Sequence, residues 1–151
     1  MRVKNLEEKI SPSVIDNGCD LWGIDFLKGK STPIIRVYID AIGGATLADC
    51  EKVSKELNYE LPLDSDLVDF EYILEVSTPG MDRKIFKFEQ FKNFVGESFN
   101  IKLKMKINEG YSHKLKLVDI ISKKLLFEDI DGTHHEILFS SIDACRLIPR
   151  F

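Results

Sequence analysis

The sequence predicts an α+β chain of two domains, an N-terminal α/β layer with two helices on a three-stranded sheet, followed by a small β-barrel. Three observations predict it. Apolar residues recur at helical spacing in two stretches before Pro62, whereas beyond Ser98 they alternate with polar residues at strand spacing almost throughout. Between the two regimes stands Pro79-Gly80, a pair that fixes φ at one turn position and permits positive φ at the next, followed by the charged Asp82-Arg83. The charge balance changes sign there too: residues 1–80 carry 8 Lys and Arg against 15 Asp and Glu, and residues 81–151 carry 13 against 10. The expected domains are therefore 1–83 and 84–151. Halves of this size each bury only about 60% of their unfolded surface, so each is marginal alone and some packing between them is expected.

Leu6, Ile10 and Val14, with Val3 and Ile15 widening the stripe, form the apolar face of a helix over 4–17 that ends at Gly18. Pro12 removes one backbone bond, so either a kink or a second short helix capped by Ser11 is expected. Residues 21–27 alternate as a strand, with Trp22, Ile24 and Phe26 on one face and Gly23 and Asp25 on the other. Residues 28–33 form a polar loop long enough for an antiparallel return. Within it Gly29-Lys30-Ser31 imitates the end of a phosphate loop, but position 24 is Ile where that motif needs glycine, and a strand follows instead of a helix. No phosphate site is expected there. Ile35, Val37 and Ile39 face one way on the strand 34–40.

After Gly43-Gly44, Thr46 is the N-cap of a second helix, with Asp49 three residues on. Leu47, Cys50, Val53, Leu57 and Leu61 supply its apolar stripe, and Pro62 ends it. The acidic stretch with Asp64, Asp66 and Asp69 leads into a third strand over 70–77, in which Tyr72, Leu74 and Val76 alternate. Beyond the turn, Phe88, Phe91 and Val95 predict one or two helical turns closed by Gly96. Then comes the clearest alternation in the chain. Phe99, Ile101, Leu103, Met105 and Ile107 point inward, with Ser98, Asn100, Lys102, Lys104 and Lys106 outward. Four further short strands are marked by Leu115/Leu117, Leu125–Phe127, Ile137/Phe139 and Cys145/Leu147. Asp131-Gly132 is a two-residue hairpin signal, and residues 140–143 read as a tight helical turn before the last strand. Five short strands around one apolar face predict a barrel, an arrangement that removes most sheet edges.

Chemistry is sparse. Cys19, Cys50 and Cys145 are odd in number and widely spaced, which argues against a zinc site or disulfide scaffold and for a reducing compartment. The first ten residues include Arg2, Lys4, Glu7, Glu8 and Lys9, so no signal peptide is expected. No apolar run approaches the ~18 residues of a membrane span, so no membrane partner is expected and the cytoplasm is the expected location. His134 and His135 are neighbours on a strand and point to opposite faces, while His113 stands elsewhere; no metal or other cofactor is expected. There is no GxSxG, HExxH or GxGxxG, and no His before Pro79 to serve Cys19 or Cys50. Neither an enzyme nor a small-molecule substrate is expected.

What remains is charge. Lys102, Lys104 and Lys106 form a cationic row, with Lys114 and Lys116 as candidates beside it. Such a row suits contact with phosphates, although lysines also guard exposed strand edges. Arg83 with Asp82 either contacts a partner or fixes the bend as a structural pair. The acidic loop is either simply solvated or meets a basic protein.

One combination of residues is specific. Val37-Tyr-Ile-Asp40, Gly43-Gly44, Thr46-Leu47, Asp49-Cys50, Ser54, Leu74-Glu-Val-Ser-Thr-Pro-Gly-Met-Asp-Arg83, the step from Phe91 to Gly96 and the ending Ile142…Arg146-Leu-Ile-Pro149 together resemble the ribosome maturation factor RimP family along nearly the whole chain. The resemblance implies a three-stranded α/β domain and an Sm-like/SH3-like barrel, joined at Ser77, Pro79, Gly80, Asp82 and Arg83. It implies a non-catalytic cytoplasmic factor, expected as a monomer, that binds the immature small ribosomal subunit near the decoding region and promotes its maturation. Ribosomal RNA and a basic small-subunit ribosomal protein are the partners implied, with Lys102, Lys104, Lys106, Lys114, Lys116 and Arg83 the candidate contacts. Charge alone assigns the acidic first half to basic proteins and the second half to RNA, whereas the family associates the barrel with a basic protein. The alternative is a ribosome-independent RNA-binding or RNA-chaperone module built on the same barrel. Aromatic stacking signatures would favour it, and Tyr111 and Phe127 stand isolated in the sequence.

Overall fold

The computed structural model describes residues 3–64 and 66–150, with side chains from Asn5 onward. It divides into two compact units, Met1–Pro79 and Gly80–Phe151. The sequence places the boundary after Arg83, whereas the backbone ties residues 83–85 to the end of the chain. The Leu147 N–H donates to the Arg83 carbonyl at 2.9 Å and the Ile85 N–H to the Cys145 carbonyl at 2.8 Å. Hydrogen-bonded pairing, which no sequence period signals, draws this segment into the second unit.

In the first unit the elements are α1 (Val3–Asp16), β1 (Asp20–Leu27), β2 (Ile34–Asp40), α2 (Leu47–Glu60), a short 3₁₀ turn (Leu61–Leu63) and β3 (Ile73–Ser77). The sheet order is β1-β2-β3, antiparallel between β1 and β2 and parallel between β2 and β3. A parallel neighbour requires a crossover, and α2 supplies it. Ile35, Val37 and Ile39 of β2 pack against Leu6, Ile10 and Val14 of α1 and Cys50, Val53 and Leu57 of α2 in one buried cluster. Two helices therefore cover a three-stranded sheet, as the periodicities predicted.

Several local expectations fail for identifiable reasons. α1 runs through Pro12 as one helix, so no second helix starts at Ser11. Pro12 and Glu8 lie on its exposed side, where water can bond the carbonyl that the proline leaves unpaired, and the buried stripe is uninterrupted. Ile15 is exposed beside that stripe. In β1 the register shifts between Leu21 and Gly23, a bulge that takes Trp22 out of the face formed by Ile24 and Phe26. Leu47 is exposed as well; the first turn of α2 is held by its capping box and not by burial. Thr46 Oγ1 accepts the Asp49 N–H at 3.1 Å, and Asp49 Oδ2 accepts the Thr46 N–H at 2.8 Å. β3 begins at Ile73 and not at residue 70. Gly29 is required by close approach: a Cβ there would lie 1.9 Å from the Thr32 carbonyl oxygen.

The second unit holds β4 (Ser98–Ile107), β5 (Gly110–Ile121), β6 (Lys124–Glu128), β7 (His134–Leu138) and β8 (Ile142–Leu147), preceded by a 3₁₀ segment over Phe88–Phe94. The antiparallel order is β7-β6-β5-β4-β8, so the two edge strands are consecutive in sequence. One 3₁₀ turn, Phe139–Ser141, joins them. A flat five-stranded sheet separates its edges by about 19 Å, whereas a 3₁₀ connection of this length advances about 8 Å. The sheet must therefore curl into a small barrel. Its interior is aromatic: Phe91, Phe99 and Phe127 are fully buried, and the Phe91 ring meets Phe99, Phe127 and Phe139 edge-on at centroid distances of 5.4, 6.3 and 5.9 Å.

Here too the sequence is corrected in places. Val95 is exposed where the helical spacing placed it inward, because the segment is a 3₁₀ helix with a shorter period. The β6–β7 loop is longer than a two-residue hairpin: the Gly132 N–H bonds the Asp129 carbonyl and the Asp129 N–H the Thr133 carbonyl, with Gly132 at φ 80°. That is a type I turn followed by a left-handed glycine. Met105, expected inward, is 73% exposed. Its strand departs from regular pairing after Lys102.

Candidate nucleic-acid interface

The outward face of β8, β4 and β5 gathers three of the six predicted cations, Lys102, Lys114 and Lys116. Alternation buries Phe99 and Ile101 on β4, Leu115 and Leu117 on β5 and Cys145 on β8, so the residues between them turn to solvent. Register then sets them side by side. Arg146 pairs with Asn100, and Asn100 with Lys114; on the far side an isolated bridge sets Lys84 opposite Arg146. The row Lys84, Arg146, Asn100, Lys114 crosses four backbone segments, about 14 Å at the usual strand spacing. The neighbouring rows hold Lys102 opposite Ser112 and Lys116 opposite Ser98. Lys102, Lys114, Arg146, Asn100, Ser112 and Ala144 line a shallow depression of about 430 Å³, floored by the small residues and rimmed by the cations.

The electrostatics are mixed at the margins: Lys114 and Lys116 also line a second depression with Glu128, Asp129 and Asp131. Lys102 Nζ lies 3.8 Å from Asp143 Oδ2, and His134 Nε2 lies 3.6 Å from Glu128 Oε1, the residue opposite Lys116. Both pairs are exposed and contribute little. Lys84 and Arg146 stand directly across the isolated bridge, with Lys84 Nζ over the Phe86 ring, 5.1 Å from its centroid.

The structure does not bring all the candidates together. Lys104 and Lys106 are exposed on the β4–β5 hairpin, beyond the last β4–β8 pair at Leu103 and Ile142. Arg83 lines a separate depression with Met81, Phe94, Glu97, Pro149 and Arg150. It stands one residue from Lys84 and so takes the opposite side of that extended segment. Of the junction residues, Ser77 Oγ donates to the Thr78 carbonyl, and Gly80 adopts φ 79° before the exposed Asp82. Sequence reasoning missed Lys84 and Arg146. Arg146 was legible, since it alternates between Cys145 and Leu147; Lys84 was not, because its place depends on a bridge between residues far apart in the chain.

Other titratable groups serve the scaffold. Burial pushes the Cys145 thiol up to about 12 and also raises Cys19 and Cys50, which keeps all three as neutral thiols near neutral pH. Among the described residues, no three His, Cys, Asp or Glu side chains are placed to hold a metal. The buried Ser13 hydroxyl of α1 and the Asn17 amide both donate to Glu56 of α2, and these bonds lower the Glu56 pKa.

Asp129 clasps the β6–β7 loop, accepting from His135 Nε2 at 2.8 Å and from the N–H groups of Asp131 and Thr133 at 2.9 and 3.0 Å. The His135 bond is the largest cause of its lowered pKa, with those backbone bonds adding to it. A carboxylate depressed on folding contributes stability that is present above its unfolded pKa, about 4, and lost as pH falls through the folded value. The Thr133 amide is therefore expected to lose hydrogen-exchange protection on acidification below about pH 4, where a retained clasp would contradict the assignment. In Asp129→Asn that pH-dependent step is absent.

No helix among the described residues is long and apolar enough to cross a membrane. Compared with known protein families, residues 9–82 match the model described as the RimP N-terminal domain. The match spans α1 from its middle, all three strands and α2, and ends in the turn after Pro79-Gly80.

Proposed function

Because the chain belongs to the RimP family of ribosome maturation factors, we propose that it binds the immature small ribosomal subunit and promotes its maturation without catalysis. The observation that carries the reading is the cationic face of β8, β4 and β5, where Lys84, Lys102, Lys114, Lys116 and Arg146 are set side by side by strand register. Ribosomal RNA is the partner this face fits, since a row of cations neutralises phosphates and releases their counterions. The first unit carries the opposite balance, 8 basic against 15 acidic residues up to Gly80, which suits a basic ribosomal protein near the decoding region. The protein acts as a cytoplasmic monomer by differential affinity: contacts available on an immature arrangement of RNA and protein, and lost in the mature one, favour productive intermediates.

Sedimentation of extract from cells carrying a tagged chain tests the reading. Comigration with immature small subunits and absence from translating ribosomes is the expected result. If the protein stays at the top of the gradient even at low salt, the ribosomal reading fails and a free-standing RNA-binding module takes its place.

A further inference from the structure

The β4–β5 hairpin breaks the regularity of its sheet at one point. Lys102 pairs with Ser112 and the next pair is Ile107 with Gly110, so residues 103–106 stand opposite Tyr111 alone. A ladder that sets four residues against one cannot hold them in plane, and the surplus bows outward. The bow frees Lys104, Met105 and Lys106 from alternation, leaving all three exposed, Met105 by 73%. Tyr111 is 46% exposed, and Lys106 Nζ lies over its ring, 5.5 Å from the centroid. Beyond them the turn is held by Asn108 and Glu109, with φ 50° and 67°, both in the left-handed region. For a glutamate that conformation is unfavourable, and it fixes the tip as a tight two-residue turn.

Charge decides what this element fits. Met105 stands between Lys104 and Lys106 in the chain, and Tyr111 lies across the hairpin under Lys106. An exposed thioether and phenol ring on an element this rich in ammonium groups match an unstacked nucleobase and its flanking phosphates, because every base offers a π face and every linkage a negative charge. Between Lys102 and Lys116 the hairpin carries one carboxylate, Glu109, against Lys102, Lys104, Lys106, Lys114 and Lys116. It also continues the strands that bear Lys102 and Lys114. We propose that the bowed hairpin is a contact for single-stranded RNA, in which an unpaired base packs on Tyr111 and Met105 while Lys104 and Lys106 meet the adjoining phosphates. The proposal rests on the RNA-binding reading above and narrows it to unpaired RNA.

Fluorescence anisotropy of the full chain with a short unstructured RNA and with an RNA duplex of equal length is the test. The single strand is expected to bind more tightly. Tyr111→Ala and Met105→Ala each weaken that binding by about five- to tenfold, as loss of a stacking contact does, while Tyr111→Phe keeps it. Neither alanine variant changes duplex binding or the slope of affinity against salt, whereas Lys104→Ala and Lys106→Ala each reduce the slope by about one. Exposure of all four side chains keeps folding intact, which circular dichroism checks. Equal binding of strand and duplex, or wild-type affinity in Tyr111→Ala, overturns the proposal. Immature subunits supply the separating control. If they bind wild-type protein and Tyr111→Ala alike, the hairpin proposal fails and the subunit reading stands. If they bind neither while the hairpin-dependent RNA affinity persists, the subunit reading fails alone.

Discussion

Reversing three charges together, Lys102→Glu, Lys114→Glu and Arg146→Glu, is expected to lower affinity for immature small subunits by on the order of a hundredfold and to take about three from the salt slope. The size follows from geometry. The three side chains rim one depression on adjacent strands, so a single stretch of backbone phosphates meets them at once. Reversal removes each attraction and adds a repulsion in its place. None of the three is a core residue, and Asn100, Ser112 and Ala144 between them are untouched, so the barrel is expected to fold normally. The sign of the effect discriminates between partners. If this face docks on a basic protein, making it acidic leaves affinity unchanged or raises it. A measured gain in affinity would reassign the face from RNA to protein.

The second large effect is on stability. Phe91→Ala is expected to destabilise the second unit by about 3–5 kcal/mol, the usual cost of emptying a buried aromatic site. Phe91 has no exposed surface, and three other rings pack against it edge-on, so the cavity has rigid walls on several sides and little to collapse into it. For a domain this small the loss is a large fraction of the total stability. The reporters are already present: all three histidines lie in the second unit and the single tryptophan, Trp22, lies in the first. In a denaturant titration the histidine ring resonances should move to a lower midpoint. A shift worth less than about 1 kcal/mol would mean that the ring cluster is not the centre of the barrel core.

Much of this fold was legible because the core faces obey simple periods. Leu6, Ile10 and Val14 recur every four residues, Ile35, Val37 and Ile39 every two, and each set is buried. The failures occur where a period is broken by something nonlocal. Trp22 and Met105 follow their alternation on paper, yet each sits at a register shift that depends on the partner strand. Leu47 satisfies the helical stripe but lies in the first turn of α2, where the Thr46–Asp49 box fixes the helix without burial. Pro12 is tolerated because its side of α1 faces water.

The candidate site divides along the same line. Lys102, Lys114 and Lys116 could be placed on an outward face from alternation alone, whereas their convergence with Arg146 and Lys84 is a product of strand order and a long-range bridge. The sequence also made Lys104 and Lys106 a continuation of the Lys102 row. The bow at residues 103–106 gives them a different setting, beside an aromatic ring that looked isolated in the sequence.

Differential affinity is measured by equilibrium binding of labelled protein to purified immature and mature small subunits at one fixed salt concentration. Binding to the immature subunit is expected to be at least about tenfold tighter, since a factor can bias an equilibrium only by the difference in its affinities for the two states. Equal affinity for both, however tight, would rule that mechanism out.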